Sequence, residues 1–413
     1  MTDPLLPLDQ ARDFVLSGCE RLPVVALTLA QALGTVIARP VRATEPVPPF
    51  ANTAMDGYAV RAVDTVGADR EPVTLAVVGT LAAGAAPDVE VGPGQAVRIM
   101  TGAPMPLGAD AVVMVELTGP APGSPGSPAV VVRHQADPGE HVRAAGDDVA
   151  TGEEVLPAGT VLGPGHLGVL ASLGQDTVSV FRRARVGVIS TGDELVQGSV
   201  PLAPGQIRDS NRPTLMALLD QAGCAAVDLG TARDTEADIT AALERGLATC
   251  DALVTSGGVS VGDFDYTKAV LDRLSGGTMR WMQVAIRPAK PLAFGVVKGV
   301  PVFGLPGNPV SSVVSFECFA RPALRQMMGH PAIHRPTVQA VADAGLPRRP
   351  DGKLHLDRVV AEPGADGRYH VRSSGGQASH QLLATARANA LALVRDGEGV
   401  PAGGTVPTML LGP

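Results

Sequence analysis

Residues 256–268, "SGGVSVGDFDYTK", follow directly on the apolar run "DALVT" and combine residue types that suit opposite charges. Gly257, Gly258 and Gly262 let backbone N–H groups approach a ligand closely, and Ser256 and Ser260 add hydroxyl donors. Such a loop suits a phosphate. Asp263 and Asp265 repel one, and the conflict is lifted by Mg2+, which with its water shell can sit between carboxylate and phosphate. Two more loops share this texture. "STGDEL" (190–195) sets Ser190, Thr191 and Gly192 beside Asp193 and Glu194, and "GLPGNP" (304–309) offers Pro306, Gly307 and Asn308. Together the three loops would bind a phosphorylated ligand, with Asp193, Glu194, Asp263 and Asp265 able to hold the metal. Asp and Ser at such positions also serve as ordinary helix caps. In "AIRPAKPLAFG", Arg287 and Lys290 flank Pro288, and the stiffened turn either fixes an oxyanion or is a solvated turn.

These loops need a scaffold that brings them together. Between residues 185 and 325 apolar strand-like runs alternate with helical periodicity: "RVGVIS", "NRPTLMALLDQAG", "AAVDLG", "TEADITAALERGLATC", "DALVTSGG", "DYTKAVLDRL". "WMQVAI" and "PLAFGVV" read as a hairpin, and "GVPVFGLPGNP" as a last strand running into a helix with Asn308 at its N-cap and Pro309 first. The pattern predicts a doubly wound α/β domain with a mostly parallel sheet, whose ligand site lies beyond the carboxyl ends of the strands. Thr235 and Asp238 form a helix-start signature.

The flanks have a different texture. "LPLDQARDFVLSGCERL" reads as a first helix, and residues 58–133 as short strands between Gly/Pro turns, with "GPAPGSPGSPA" as a mobile hairpin tip. The expected organisation is a multidomain α/β-plus-β chain. It comprises an N-terminal linker domain (1–50 and 146–180), an inserted β-rich domain (51–145), the α/β domain (181–330) and a C-terminal β-rich domain (331–413).

Composition narrows the partners. A net charge of −8 and an aromatic content of 3% argue against nucleic acid and anionic lipid. The absence of a signal peptide or a long apolar run leads to the expectation of a cytoplasmic protein off the membrane, and the four dispersed cysteines to reduced thiols. No P-loop, HExxH or CxxC pattern occurs, and the eight histidines are scattered.

"FANTAMDGYAV", "TGAPMPLGADAVVMVE", "ISTGDELV", "DSNRPTLMALL", "SGGVSVGDFDYTK", "GLPGNPVSS" and "SSGGQASHQLLATARANAL" together resemble the molybdopterin molybdenumtransferases, a family that includes the C-terminal enzyme domain of gephyrin. The likeness runs through essentially the whole chain. It implies insertion of molybdate into molybdopterin supplied in adenylylated form, with Mg2+-dependent release of AMP. It also implies an elongated homodimer with its cleft between subunits, and transient contact with the adenylyltransferase that supplies the substrate. By the same resemblance Asp56, Thr101, Asp148, Glu194, Asp234 and Asp265 are active-site residues, Arg287 and Lys290 the oxyanion pair, and Ser374 a C-terminal contribution. Arg287 stands where the family often has Lys. The alternatives are a non-catalytic molybdopterin-binding scaffold and the adenylyltransferase itself, which would be expected as a lone α/β domain.

Overall fold

The computed structural model describes residues 5–121, 128–258 and 266–412. Ser260, Gly262, Asp263 and Asp265, and most of the run read as a hairpin tip, lie outside the described residues.

Alternation along the central strands explains the middle of the chain. Val188, Val254 and Phe303 enter one core, together with Leu215 and Leu219 of the helix Asn211–Gln221 and its C-cap Ala222. Their neighbours Ile189, Leu253 and Val302 enter a second core with Ile239, Leu243, Val270 and Leu271 from the helices Glu236–Thr249 and Tyr266–Leu274. Successive side chains of a strand point to opposite faces, so a strand that is apolar throughout requires a helical layer on both sides. Each such side chain contributes about 1.5–3 kcal/mol on burial. The sheet runs Ala225–Ala232, Arg185–Thr191, Ala252–Ser256, Val300–Leu305, Pro291–Val297, Arg280–Gln283. Its first four strands are parallel and its last two antiparallel, the latter being the hairpin expected from the sequence. Thr235 caps its helix by accepting the Asp238 N–H.

A six-stranded sheet occupies the region of short strands, in the order Ala111–Met114, Gly57–Val60, Gln95–Ile99, Val73–Leu81, Ala129–Val132, Thr118–Pro120. Its two faces carry separate apolar clusters. Residues from both sides of this insertion pair with each other: Val24–Thr28 with Thr177–Phe181, and Val41–Arg42 with Glu154–Leu156. The first helix, Leu8–Ser17, instead buries Leu8, Ala11 and Val15 in the core of the central sheet.

The C-terminal strands Leu354–Pro363, Tyr369–Ser373, Thr337–Ala342, Thr405–Leu410 and Ala390–Val394 close on themselves, because the last also pairs with the first. This barrel is stitched to the α/β region: the strand Ile286–Arg287 lies parallel to its first strand, with Arg287 opposite His355. All four cysteines are free and buried. Among the described residues no helix is long and apolar enough to cross a membrane.

Candidate active site

The strands Arg185–Thr191, Ala252–Ser256 and Val300–Leu305 are consecutive neighbours in the sheet, so the polar loops at their carboxyl ends meet. They border a cavity of about 780 Å³ lined by Thr191, Gly192, Glu194, Asp234, Ser256, Gly257, Gly258, Gly307 and Asn308. Two glycines are required here. Gly258 has φ +72°, and a Cβ on it would lie 2.3 Å from Thr267 Cβ. Gly192 has φ +146°, a backbone conformation that residues with a side chain rarely adopt. Asp193 and Asp234 exchange backbone bonds: the Asp234 N–H donates to Asp193 Oδ1 (3.2 Å) and the Asp193 N–H to Asp234 Oδ2 (3.4 Å). Asn308 takes the N-cap position ahead of Pro309 but makes no capping bond, leaving its side chain on the cavity wall.

Three residues read as substrate-binding are buried and do not reach the lining. Ser190 is fully buried, its hydroxyl without a partner among the described residues, because the strand continues through it. Pro306 is buried under the turn. Ser374 is buried as well, and its hydroxyl donates to the carbonyls of Ala384 (2.8 Å) and Arg358 (3.0 Å), an internal brace.

Asp56 and Thr101 form a unit of their own on the inserted sheet. The Thr101 backbone N–H and hydroxyl donate to Asp56 Oδ1 at 2.7 and 2.8 Å. These bonds hold the exposed Asp56 carboxyl below its usual range. Asp148 is exposed, its backbone N–H bonded to Val47 O at 3.0 Å. None of these three lines the cavity.

The Arg287 turn carries strain: Ala289, buried between Pro288 and Lys290, has φ +73°. The Arg287 side chain is 63% exposed and lies 3.9 Å from Asp351. Asp351 is also met by Arg348, Lys353 and His355. Desolvation pushes its carboxyl up, but hydrogen bonds and charge from His355 and Lys353 together bring it down to about 2. The Lys290 ammonium has no hydrogen-bond or ionic partner among the described residues. On the same barrel strand Arg358 is 1% exposed. Its Nη2 donates to Gly376 O (2.6 Å) and Ala378 O (3.3 Å), while Nε and Nη1 have no partner among the described residues. A buried guanidinium with two idle donors is costly unless an anion uses them. The loop it braces leads to His380, which lines the cavity.

The sequence reading also missed Asn211, Ser210, Tyr266, Thr267 and His380 on the lining. "DSNRP" before a helix was the only signal for the first two. A lone Arg within "LHLDRVV" gave none for Arg358.

Among the described residues no group of three or more His, Cys, Asp or Glu forms a ready metal cage. Mg2+ is commonly held by one or two carboxylates with substrate phosphates completing the shell, so Glu194 and Asp234 on the cavity wall fit that donor set.

Comparison with known proteins covers almost the whole length. Residues 6–174 match the MoeA N-terminal region (domain I and II), residues 187–326 a probable molybdopterin binding domain, and residues 340–411 the MoeA C-terminal region (domain IV). The chain is 44% identical over 372 residues to molybdopterin molybdenumtransferase 2 of Mycobacterium tuberculosis, covering 89% of this chain and 90% of the relative. The chain belongs to the molybdopterin molybdenumtransferase family. The transferase of that name in Haemophilus influenzae is 38% identical over 409 residues, covering 97% of this chain and 98% of its own. The molybdopterin biosynthesis MoeA protein of Pyrococcus horikoshii superposes with a TM-score of 0.82 at 30% identity, covering 99% of this chain and 100% of its own. The chain is thus a transferase of molybdenum cofactor biosynthesis with the multidomain fold of that family. A lone adenylyltransferase domain does not account for its length.

Proposed function

We propose that this chain inserts molybdate into adenylylated molybdopterin and releases AMP in a Mg2+-dependent step. The observation that carries the reading is the cavity at three adjacent strand ends, where hydroxyls and glycine backbone suited to phosphate stand beside Glu194 and Asp234. Thr191, Gly192, Ser256, Gly257, Gly258, Gly307 and Asn308 bind and orient the phosphates. Glu194 would hold the metal, with Asp265 expected beside it from the sequence, and a bound metal supplies neutralisation of phosphate charge at the bond that breaks. Arg287, Lys290 and Arg358 hold the dianionic molybdate; the strained turn and the two idle donors of Arg358 support that assignment.

Asp56, Thr101 and Asp148 complete the site from a second subunit, which is consistent with their absence from the lining of their own chain. The homodimer, the four-domain division, a cytoplasmic location and contact with an adenylyltransferase belong to this same proposal. The test is AMP release from adenylylated molybdopterin by the purified protein. Release that needs both molybdate and Mg2+ is expected; release indifferent to molybdate refutes the insertion reaction, and tight binding without release favours a scaffold.

A further inference from the structure

We propose that Asn211 is a specificity-determining residue that presents its Oδ1 to an N–H or O–H donor carried beside the ligand's phosphates; this rests on the reading above. Asn211 opens the helix Asn211–Gln221 and lines the cavity. Its Nδ2 lies 2.7 Å from Gly307 O and 2.8 Å from Ser256 Oγ, joining two of the three strand-end loops. A carbonyl oxygen only accepts, so the amide atom facing Gly307 is the nitrogen, and the orientation of the amide follows from its partner. The amide nitrogen is committed to two protein oxygens. No donor among the described residues reaches Oδ1.

The next residue holds this geometry. Arg212 is 8% exposed; its Nε and backbone N–H each donate to Asp209 at 3.1 Å, and its Nη1 pairs with Asp228. The start of the helix is fixed, and with it the acceptor, before any ligand arrives. The chemical type of the acceptor matters. Glu194 and Asp234 are carboxylates that repel phosphate in the absence of metal, whereas an amide oxygen takes a hydrogen bond beside phosphate without adding charge. Adenylylated molybdopterin carries donors on both sides of its phosphates, in the pterin and in the nucleoside. Inorganic pyrophosphate carries no N–H or C–OH donor.

The experiment is calorimetric titration of the full-length protein with AMP, molybdopterin and pyrophosphate, each with Mg2+, for wild type, Asn211→Ala and Asn211→Asp. Asn211→Ala loses both clamp and acceptor. Its affinity for AMP or for molybdopterin is expected to fall about tenfold further than its affinity for pyrophosphate. Asn211→Asp keeps an acceptor oxygen, and its added charge weakens pyrophosphate, the most highly charged of the three, at least as much as the others, so no selective loss for AMP or molybdopterin is expected. A selective loss for AMP places the donor on the nucleotide half, and one for molybdopterin on the pterin half. Equal losses for all three ligands in Asn211→Ala, or the same selective loss in Asn211→Asp, overturn the inference. Should Asn211→Ala fail to fold, Asn211→Ser, too short to bridge the loops, replaces it with the same expectation. Wild-type protein that binds these ligands yet releases no AMP with molybdate refutes the reaction, and the role of Asn211 is then decided by the ratios alone.

Discussion

Replacing Arg358 with Met should make the protein more stable and less able to hold molybdate. The side chain is 1% exposed and leaves Nε and Nη1 without partners among the described residues. Burial lowers its pKa, but from so high a starting value that the charge persists at neutral pH. Each unpaired buried donor costs about 1–3 kcal/mol, offset by the two carbonyls of Gly376 and Ala378 that Met would leave unbonded. Arg358 has no ion pair among the described residues, so its replacement removes the desolvation cost of a lone buried charge, and a net gain of about 1–3 kcal/mol is expected. For a unit the size of the C-terminal barrel this raises Tm by about 4 °C or more. Molybdate tests the other half of the argument. At about 100 times its Kd a ligand stabilises the state that binds it by about 2.7 kcal/mol, which should appear in wild type and vanish in Arg358→Met. Thermal melts with and without molybdate, paired with the AMP-release assay, read both effects. A variant that melts lower than wild type and still gains the full molybdate shift would refute the idea that the idle donors serve an anion.

Three further outcomes follow from other parts of the molecule. Burial, reinforced by Arg325 and Arg321, pushes His330 down to about 4, below its ordinary 6.5, so the unfolded chain takes up the proton first. Stability is therefore full above pH 6.5 and falls by up to about 1.4 kcal/mol per unit as pH drops towards 4. His330→Asn, which offers Arg325 an acceptor without titrating, should flatten that part of a melting-temperature profile. Glu317→Ala should destabilise by about 3–5 kcal/mol in urea unfolding, since it strips Arg335 (2.9 and 3.0 Å) and the nearby Arg321 of their buried counter-charge. Mixing Asp56→Asn chains with Glu194→Gln chains, each inactive alone, should restore about a quarter of wild-type AMP release: half the dimers are mixed, and each mixed dimer keeps one intact site of two. No recovery would place both residues in a site within one chain.

The loops at strand ends were legible because their signal is local. An apolar run of five to seven residues that stops at Ser or Thr followed by Gly marks both the strand and the point where its backbone turns towards a ligand, as at Ser256–Gly258. Convergence of three such loops needed only the expectation of a parallel sheet. The missed residues depend on partners far along the chain. Asn211 is 45 residues from Ser256 and 96 from Gly307, and no window of sequence relates them. Ser190 and Ser374 failed in the opposite way: their residue type and neighbourhood suit a ligand, but strand continuation buries one and a carbonyl pair consumes the other.

Arg287 and Arg358 show why residue type alone could not rank the cations. Both are arginines at the junction of the α/β region with the barrel, on strands that pair with each other. Arg287 was conspicuous because Pro288 follows it in a turn that also carries Lys290, yet it is 63% exposed and already leans on Asp351. Arg358 stood in an ordinary strand pattern; it shares a strand face with Leu356, which packs into the α/β core, while Val359 on the other face enters the barrel core, and Gly376 and Ala378 bond it with two donors left unspent among the described residues. An exposed cation with a counter-ion gains little by exchanging one anion for another, because solvent screens both pairings. A buried one with idle donors gains the bonds it lacks. On this argument Arg358 sets most of the affinity for the oxyanion, and Arg287 with Lys290 guides its approach. Raising ionic strength should then slow molybdate capture much more than it speeds release, while Arg358→Met should do the reverse.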